Sequence, residues 1–476
     1  MERIKRMPQE RLVLFYFLFF AFAAIFSIIY FNGTAHEADS ITHYLYAKFA
    51  FDNPRLYFNH WAKPVFVLLA SPFAQLGFVG MKIFNSILAM FNFLLVYRIA
   101  NRLKYRNPHL SIFFLIFCPL YFVVIFSGLT EILFASFILF GIYLILKEKP
   151  APAAIVISFL PFVRSEGLFF IALFAIYFIL SKQWKFIFYL AVGHAVYAIA
   201  GVFVFNNALW VVTDIPYAHL GSPYGKGKLF HFAEQLQYVI GIPLYILFWV
   251  GILENIRKII RKSFRKRHRY VDIVLVFFGF ATFFIAHTLF WYFGIFNSMG
   301  LKRVMVGVAP LAILICLQGF NYITENLLCN KGKLRKVIRY GFILYIFIFP
   351  FTSNPAAINW KKDMWHSVSQ DLVQEKIAKY IQARYTEIPR LVYNDYFISE
   401  ALSVEHFNPN KRIDLSKDYL NELKEGDLII WDSWHSVVDR NTNKEDLDSN
   451  PQFKLIKEFT EWDKNRQVIY ALYEVQ

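Results

Sequence analysis

Long apolar runs recur along the first 353 residues and constrain the fold more than any other feature of the sequence. A helix that crosses a bilayer needs about 20 mostly apolar residues. Several runs are shorter than this, which indicates tilted or half-membrane helices. The eleven runs lie at 12–31, 78–97, 110–126, 132–146, 152–163, 168–181, 186–205, 238–253, 271–290, 304–320 and 340–353. The sequence therefore predicts an all-α polytopic membrane domain over residues 1–353, with about eleven transmembrane helices.

Composition supports the same class of protein. The chain is 57% hydrophobic with a mean hydropathy of +0.41, whereas soluble domains are about 45–50% apolar. The N-terminus has a basic start like a signal peptide, but its apolar part is long and no small-residue cleavage site follows it. We interpret it as an uncleaved first helix.

The basic residues follow the apolar runs in a way that predicts orientation. Six alternate segments hold 25 of the 34 Lys and Arg residues that precede Thr352. Cytosolic loops carry such an excess, so the N-terminus is expected in the cytosol. The same distribution explains the net charge of +16 and argues against nucleic-acid binding. These six segments are 1–11, 98–106, 147–149, 182–185, 257–269 and 331–339.

The tail, residues 354–476, has a different composition. From Thr352 onward the chain holds 16 Lys and Arg against 21 Asp and Glu, a net charge of −5. Apolar residues at helical spacing predict an amphipathic helix over 363–385. Short strand-like runs follow at 390–393, 427–431 and 468–473. We expect a small extracytoplasmic α/β domain.

The first outer loop, residues 32–77, is the densest polar stretch of the membrane part. Glu37 and Asp39 follow the first helix directly, and two helical segments are expected, one over 40–52 and one from Pro64 to Pro72. A carboxylate at the membrane boundary is well placed to act as a general base on an acceptor hydroxyl. The alternative is that both carboxylates are merely solvated. On an irregular backbone they would share a cavity, whereas on a helix they would diverge.

Other charged residues are predicted at the same outer face. Charged groups flanked by apolar membrane segments are costly and often functional, and guanidinium and ammonium groups suit a phosphate. The alternatives are ion pairs that only stabilise helix packing, and cationic side chains that only anchor helices at the interface. The residues concerned are Glu131, Arg164, Glu166, Lys302 and Arg303.

A metal or nucleotide site is not expected. Cys118, Cys316 and Cys329 lack the spacing of a metal site or of a disulfide framework. The familiar nucleotide-binding and hydrolase motifs are also missing from the sequence. These patterns therefore predict no cofactor.

The order of several short motifs resembles a known family. After the acidic first loop with Lys63-Pro64 come SGLTEILF from Ser127, RSEG from Arg164, and LKRV from Leu301 ahead of VAPL. This resembles the polyprenyl-phosphate-sugar-dependent GT-C glycosyltransferases, a group that includes protein O-mannosyltransferases and the lipid A aminoarabinose transferase. The resemblance covers roughly residues 1–350.

The resemblance implies an inverting sugar transfer outside the cytosol. It makes Asp39 the first candidate for the base and Glu37 the second, since His-Glu-Ala-Asp stands here where many members have adjacent Asp-Glu. The same departure leaves open whether Glu37 and Asp39 together bind a divalent cation, as oligosaccharyl-transferring relatives do. Members that transfer a single sugar mostly need no metal, so none is predicted. Outer-face cations would hold the donor phosphate, and neighbouring polar groups would contact substrate. The phosphate candidates are Lys63, Arg164, Lys302 and Arg303, and the substrate candidates are Glu131, Glu166, Tyr44 and His60.

The expected function is thus the transfer of a single sugar, by default mannose, from a polyprenyl-phosphate donor to a lipid, glycan or protein acceptor. The membrane would be a bacterial inner membrane. The alternative is a multi-pass lipid or sugar transporter without chemistry, in which charges would line opposing helices near the bilayer midplane. A third option is a ligase that uses a diphosphate-linked glycan. Such an enzyme would be expected to have more arginines in its outer loops than this sequence has.

Overall fold

The computed structural model describes residues 9–35, 37–216, 221–261, 267–328 and 332–476. Up to residue 351 the described part is helical. Its helices are α1 (Gln9–Tyr30), α2 (Glu37–Lys48), α3 (Pro64–Ala74), α4 (Phe78–Arg102), α5 (Leu110–Ile116), α6 (Pro119–Ile125), α7 (Glu131–Leu146), α8 (Pro150–Ser158), α9 (Gly167–Leu180), α10 (Val192–Phe205), α11 (Trp210–Thr213), α12 (His231–Ile240), α13 (Ile242–Ile260), α14 (Arg267–Val271), α15 (Phe278–Phe293), α16 (Ala309–Asn321) and α17 (Gly332–Ile348).

Short 3₁₀ and π turns extend several of these helices into longer rods. Among the described residues, five helical stretches are long and apolar enough to cross a membrane: Gln9–Tyr30, Phe78–Arg102, Trp184–Phe205, His268–Phe293 and Lys302–Leu327. Shorter apolar helices stand between them at Pro64–Ala74, Glu131–Leu146, Pro150–Phe162 and Gly167–Leu180. The mostly helical membrane fold expected from the apolar runs is confirmed.

Two of the expected single runs are broken helices. The run at 110–126 divides at Cys118, which is extended at φ −77° and ψ 109°. Proline disfavours the helical conformation in the residue before it, and Pro119 follows. The run at 238–253 divides at Gly241, whose φ of +80° separates α12 from α13. Pro119 and Gly241 are both visible in the sequence, but a prediction based on apolar runs alone does not use them as helix ends.

Helices α13 and α16 approach closely through glycine. A Cβ placed on Gly251 would lie 2.1 Å from the Ile315 carbonyl oxygen, and one on Gly319 would lie 2.0 Å from that of Leu247. Both distances are far below van der Waals contact, so only glycine permits this backbone approach. The two helices are therefore packed backbone to backbone at these two glycines.

The first loop folds as two helices, as predicted. Helix α2 begins at Glu37 and α3 begins at Pro64, with a 3₁₀ turn over Pro54–Phe58 between them. Glu37 and Asp39 thus both stand on a helix, which excludes the irregular backbone on which they would have shared a cavity. Lys63 adopts φ +70° immediately before Pro64, a conformation that costs free energy for a residue with a Cβ.

The tail forms a mixed five-stranded sheet. Helical segments α18 (Val368–Asp371) and α19 (Ala378–Arg384) join through a π turn into one helix, which starts five residues later than expected at 363. Helices α20 and α21 are short. The remaining elements are β1 (Leu391–Tyr393), α20 (Tyr396–Ala401), β2 (Arg412–Ile413), β3 (Leu428–Asp432), α21 (Lys444–Asp448), β4 (Phe453–Asp463) and β5 (Arg466–Val475).

The strand order is β2-β1-β3-β5-β4. Strand β1 pairs in parallel with β2 and β3, while β5 runs antiparallel to β3 and β4. All five residues of β3 are buried, as expected for a central strand. The three predicted strands are present, whereas β2 and β4 were not predicted. Strand β4 is mostly exposed and charged, so its pattern resembles a solvated loop.

The tail packs directly on the first loop. The Phe407 ring lies 4.7 Å from that of Tyr46 and 6.2 Å from that of Phe49. The Gly33 amide donates to the Met364 carbonyl at 3.1 Å. A Cβ on Gly33 would lie 2.2 Å from the Trp365 carbonyl oxygen, so this approach also requires glycine.

Candidate active site

A cavity of about 1560 Å³ lies between the first loop, the ends of the membrane helices and the tail. Asp39, Thr42 and Trp61 line it from the first loop. The membrane part contributes an apolar strip, and the tail contributes mostly polar and charged groups. Lining residues of the membrane part include Pro119, Leu120, Val123, Tyr238, Leu301, Lys302 and Arg303.

Asp39 and Arg303 form an ion pair in the wall of this cavity. Asp39 stands in the first turn of α2, and Arg303 stands at the start of the helical rod that continues into α16. The Asp39 side chain is 42% exposed and that of Arg303 only 12%. The carboxylate therefore faces the cavity while its partner cation is held in the wall.

His43 lies one turn after Asp39 and is buried. Its ring stacks on Trp61 with 4.8 Å between centroids. Burial lowers the pKa of His43 to about 3, and the charges of Arg303, Lys63 and Arg164 add to this effect against the opposing charge of Asp39. His43 is therefore neutral near pH 7.

Lys63 is buried beside the turn between α8 and α9. Its Nζ donates to Ser165 Oγ at 2.9 Å. Burial lowers the pKa of Lys63 to about 8, with Glu166 opposing the shift and Arg164 adding to it. Lys63 is thus still largely protonated at neutral pH, although only a small rise in pH removes its charge.

Arg164 joins the neighbouring helix ends. Its guanidinium lies 2.8 Å from both Glu131 and Glu166 and donates to Thr130 Oγ1 at 3.1 Å. Burial would raise the pKa of Glu166, but Arg164 and His287 outweigh it and hold that pKa at about 2. The His287 Nε2 lies 3.6 Å from Glu166. Glu166 therefore remains ionised, and the ion pairs link α7, α9 and α15.

The remaining predicted site residues lie in different surroundings. Lys302 lines the cavity with its Nζ 5.4 Å from the Tyr238 ring centroid. Tyr44 is buried against Phe78, with 5.8 Å between ring centroids. His60 Nε2 lies 3.2 Å from the Trp210 carbonyl oxygen. Glu37 is the first residue of α2, and its side chain is outside the described residues.

The structure brings Asp39, Lys302 and Arg303 into one cavity wall. Lys63 and Arg164 stand behind that wall, close enough for their charges to act on His43. Glu131 and Glu166 are gathered around Arg164. Tyr44 and His60 belong to the packing around the first loop, and within the described part of the chain neither lines the cavity.

The tail contributes cavity residues that sequence reasoning missed. Arg412 and Arg440 both pair with Asp414, and His435 Nδ1 lies 3.0 Å from Asp439. Burial lowers the pKa of His435, but Asp439 and nearby carboxylates outweigh it and raise the pKa to about 9. No local motif marks these residues, because only the fold brings the tail over the membrane part.

The described ranges contain no group of side chains that would form a metal site. No cluster of three or more His, Cys, Asp or Glu side chains there is placed to hold an ion. The expectation that catalysis needs no metal stays a prediction.

Comparisons with known proteins identify solved structures that have the same fold. No family model matches the sequence, and no curated protein matches it. Among solved structures, ArnT from Cupriavidus metallidurans bound to undecaprenyl phosphate superposes with a TM-score of 0.62 at 10% identity, over 95% of this chain and 97% of that one. The chain therefore shares the fold of ArnT. The expectation from the short motifs is confirmed at the level of architecture.

Two further structures share this fold. Apo ArnT from the same organism gives a TM-score of 0.57 at 11% identity, over 96% of this chain and 97% of that one. The oligosaccharyltransferase of Archaeoglobus fulgidus in the apo form gives 0.52 at 10% identity, over 98% of this chain and 76% of that one. Because the ArnT matches cover nearly the whole chain, the likeness in fold includes the tail as well as the membrane helices.

Proposed function

We propose that this protein is an inverting membrane glycosyltransferase that moves a single sugar from a polyprenyl-phosphate donor to an extracytoplasmic acceptor. One observation carries the proposal: Asp39 and Arg303 form an ion pair in the wall of a large cavity, in a GT-C fold. ArnT, which has the same fold, was solved with undecaprenyl phosphate. A carboxylate and a cation side by side are the two groups that such a transfer needs.

Asp39 acts as the general base. It takes the proton of the acceptor hydroxyl as that oxygen bonds to the anomeric carbon of the sugar. The bond from the anomeric carbon to the phosphate oxygen breaks, and polyprenyl phosphate leaves with its electron pair. Attack from one side, opposite the leaving group, inverts the configuration at that carbon, by the same logic as in inverting glycosidases.

Arg303 and Lys302 hold the donor phosphate and stabilise the charge that develops on it. In the structure Arg303 is paired with Asp39. A bound phosphate competes for the same guanidinium, which loosens Asp39 and leaves its carboxylate available to the acceptor. Donor binding thereby prepares the base.

Lys63 and Arg164 supply positive potential from behind the cavity wall. Both are held in place, Lys63 by Ser165 and Arg164 by Glu131 and Glu166. We assign Glu166 and Glu131 the task of orienting Arg164, and we keep Tyr44 and His60 as residues that shape the first loop around the substrates. Glu37 remains the alternative base.

The apolar strip in the cavity wall supports a polyprenyl donor, since the chain stays in the bilayer while its phosphosugar reaches Asp39. Mannose is our proposal for the sugar. The distribution of basic segments supports a cytosolic N-terminus and a tail outside the cytosol, and we propose a bacterial inner membrane.

The test is sugar transfer by the purified protein in lipid nanodiscs, with labelled mannosyl polyprenyl phosphate as donor. Asp39→Asn should lower the transfer rate at saturating donor by about 10²–10⁴-fold, the usual contribution of a general base. The matched control is Asp52→Asn, an exposed carboxylate of the same loop, which should transfer at the wild-type rate.

A near wild-type rate in Asp39→Asn would exclude Asp39 as the base. If Glu37→Gln abolishes transfer instead, the base is Glu37. Donors that carry glucose, galactose or aminoarabinose, assayed in parallel, decide the sugar.

A further inference from the structure

A second cavity lies at the opposite end of the membrane helices. Helix α4 begins at Phe78 beside the first loop and runs for 25 residues to Arg102, a length of about 37 Å. The cavity at that far end has a volume of about 480 Å³. The charged residues that line it are Lys104, Arg106, Glu325, Arg335 and Arg339, and Asn107 lines it beside them.

The charge of this cavity is strongly positive. Within the described ranges, its lining includes four Lys and Arg side chains and one carboxylate, Glu325. Glu325 lies 3.1 Å from Arg106 and 3.8 Å from Arg339, and it also pairs with Arg335. A single carboxylate cannot neutralise four cations, so the cavity retains an excess of positive charge that attracts an anion.

The loop that carries Arg106 is fixed in place. Asn107 adopts φ +52°, and its side chain links the loop to two helical rods. Arg339 Nη2 donates to Asn107 Oδ1 at 2.9 Å, and Asn107 Nδ2 donates to Asn321 Oδ1 at 3.1 Å. Asn321 Nδ2 donates in turn to the Arg106 carbonyl at 2.7 Å. The cations are therefore preorganised, which lowers the entropic cost of binding.

A buried polar network supports the floor of the cavity. The Tyr105 hydroxyl donates to Asp272, and Gln318 Nε2 donates to the same carboxylate at 3.1 Å. Lys258 Nζ lies 3.6 Å from Asp272. These contacts join the loop between α4 and α5, helices α13 and α16, and the π turn Asp272–Phe277 ahead of α15. They hold Tyr105 at the cavity while its neighbour Arg106 remains 64% exposed.

We propose that this cavity binds the phosphate group of an anionic membrane lipid. Arginine forks match phosphate oxygens in pairs, and the basic segments place this end at the cytosolic leaflet, where anionic headgroups attract Lys and Arg. A lipid is favoured over free phosphate because the bordering helices expose apolar side chains. Leu14 of α1 is 59% exposed, and Val337 and Tyr340 of α17 are 69% and 63% exposed. The headgroup occupies the cavity, and the acyl chains lie along α1 and α17.

The test is lipid retention by the full-length protein, measured by native mass spectrometry after exchange into phosphatidylglycerol or phosphatidylcholine micelles. Wild type should retain phosphatidylglycerol and release phosphatidylcholine. Arg335→Gln/Arg339→Gln should weaken phosphatidylglycerol binding at least tenfold. Lys149→Gln/Lys182→Gln removes two exposed charges from other basic segments and should bind like wild type.

Equal retention by Arg335→Gln/Arg339→Gln and wild type would overturn the proposal. Displacement of the lipid by millimolar inorganic phosphate would also overturn it, since the site would then be one for free phosphate. If the double variant does not fold, Arg106→Gln serves instead, because its exposed side chain is dispensable for packing. It should bind several-fold more weakly, and unchanged binding would again exclude the site.

Discussion

Lys63 is the residue whose charge is most sensitive to conditions near the proposed active site. It is buried, and its pKa of about 8 reflects burial first, with Glu166 and Arg164 acting in opposite directions. Such a lysine is charged below pH 8 and neutral above it. Under the proposed function, the attraction of Lys63 for the donor phosphate therefore depends on pH between about pH 7 and pH 9.

We predict that the donor KM rises at least threefold between pH 7 and pH 9, because the Lys63 charge that attracts the phosphate is lost as pH passes about 8. A bound phosphate favours the ammonium form, so kcat at saturating donor should fall at a higher pH than kcat/KM. The measurement is initial transfer rate against donor concentration across this pH range. Lys63→Arg should hold KM constant, since arginine keeps its charge. A flat wild-type profile would remove Lys63 from donor binding.

Single residues also show where sequence reasoning stops. Asp39 could be singled out as a candidate, because a carboxylate directly after an apolar helix stands at the membrane boundary, and the structure shows that it lines the cavity. Its pairing with Arg303 was not predictable, since 264 residues separate the two and no local pattern couples them. His435 and Arg412 gave no signal at all, because a histidine or arginine in a polar tail is ordinarily solvated.

At the scale of elements, glycine determines how closely the helices pack. The α13–α16 contact depends on Gly251 and Gly319, which face backbone atoms rather than side chains. Apolar periodicity predicts that such helices exist, but it does not reveal which residues meet. Apolarity also fails to show where a helix ends. The helix breaks at Pro119 and Gly241 each fall inside a run of residues that is apolar throughout.

Gly319→Ala should lower stability. Its Cβ would lie 2.0 Å from the Leu247 carbonyl oxygen, so α13 and α16 must separate, at a cost of about 1–3 kcal/mol or more by analogy with overpacked cores. The measurement is the midpoint of thermal unfolding in detergent, which should fall by a few degrees. Gly341→Ala in α17 is the control, since nothing lies within 4 Å of its added Cβ, and it should not destabilise. Equal midpoints for the two variants would contradict the close-packing interpretation.

At the scale of the whole molecule, the tail encloses the proposed site. It contributes cavity-lining residues and packs through Phe407 against the first loop. The mixed charge of the tail predicted a separate folded unit, and the sheet confirms the fold class. Its position over α2 depends on tertiary contacts between distant segments, which no pattern within either segment encodes.

Phe407→Ala should loosen the first loop without unfolding the sheet. The ring packs against Tyr46 and Phe49 at the end of α2, so its loss should speed amide hydrogen exchange in Glu37–Lys48 and slow transfer several-fold. Strands β3 and β5 should keep their protection. Tyr419→Ala, which truncates an exposed aromatic of the tail, is the control. Unchanged exchange in α2 would show that the tail does not support the loop.

The long separation in sequence between cavity-lining residues also has a consequence for biosynthesis. Asp39 and Lys464 both line the cavity, although they lie 425 positions apart in the chain. At roughly 5–20 residues per second during synthesis, about 20–85 s pass between the addition of the two. The membrane helices of a nascent chain would therefore form while the cavity still lacks the residues that the tail contributes.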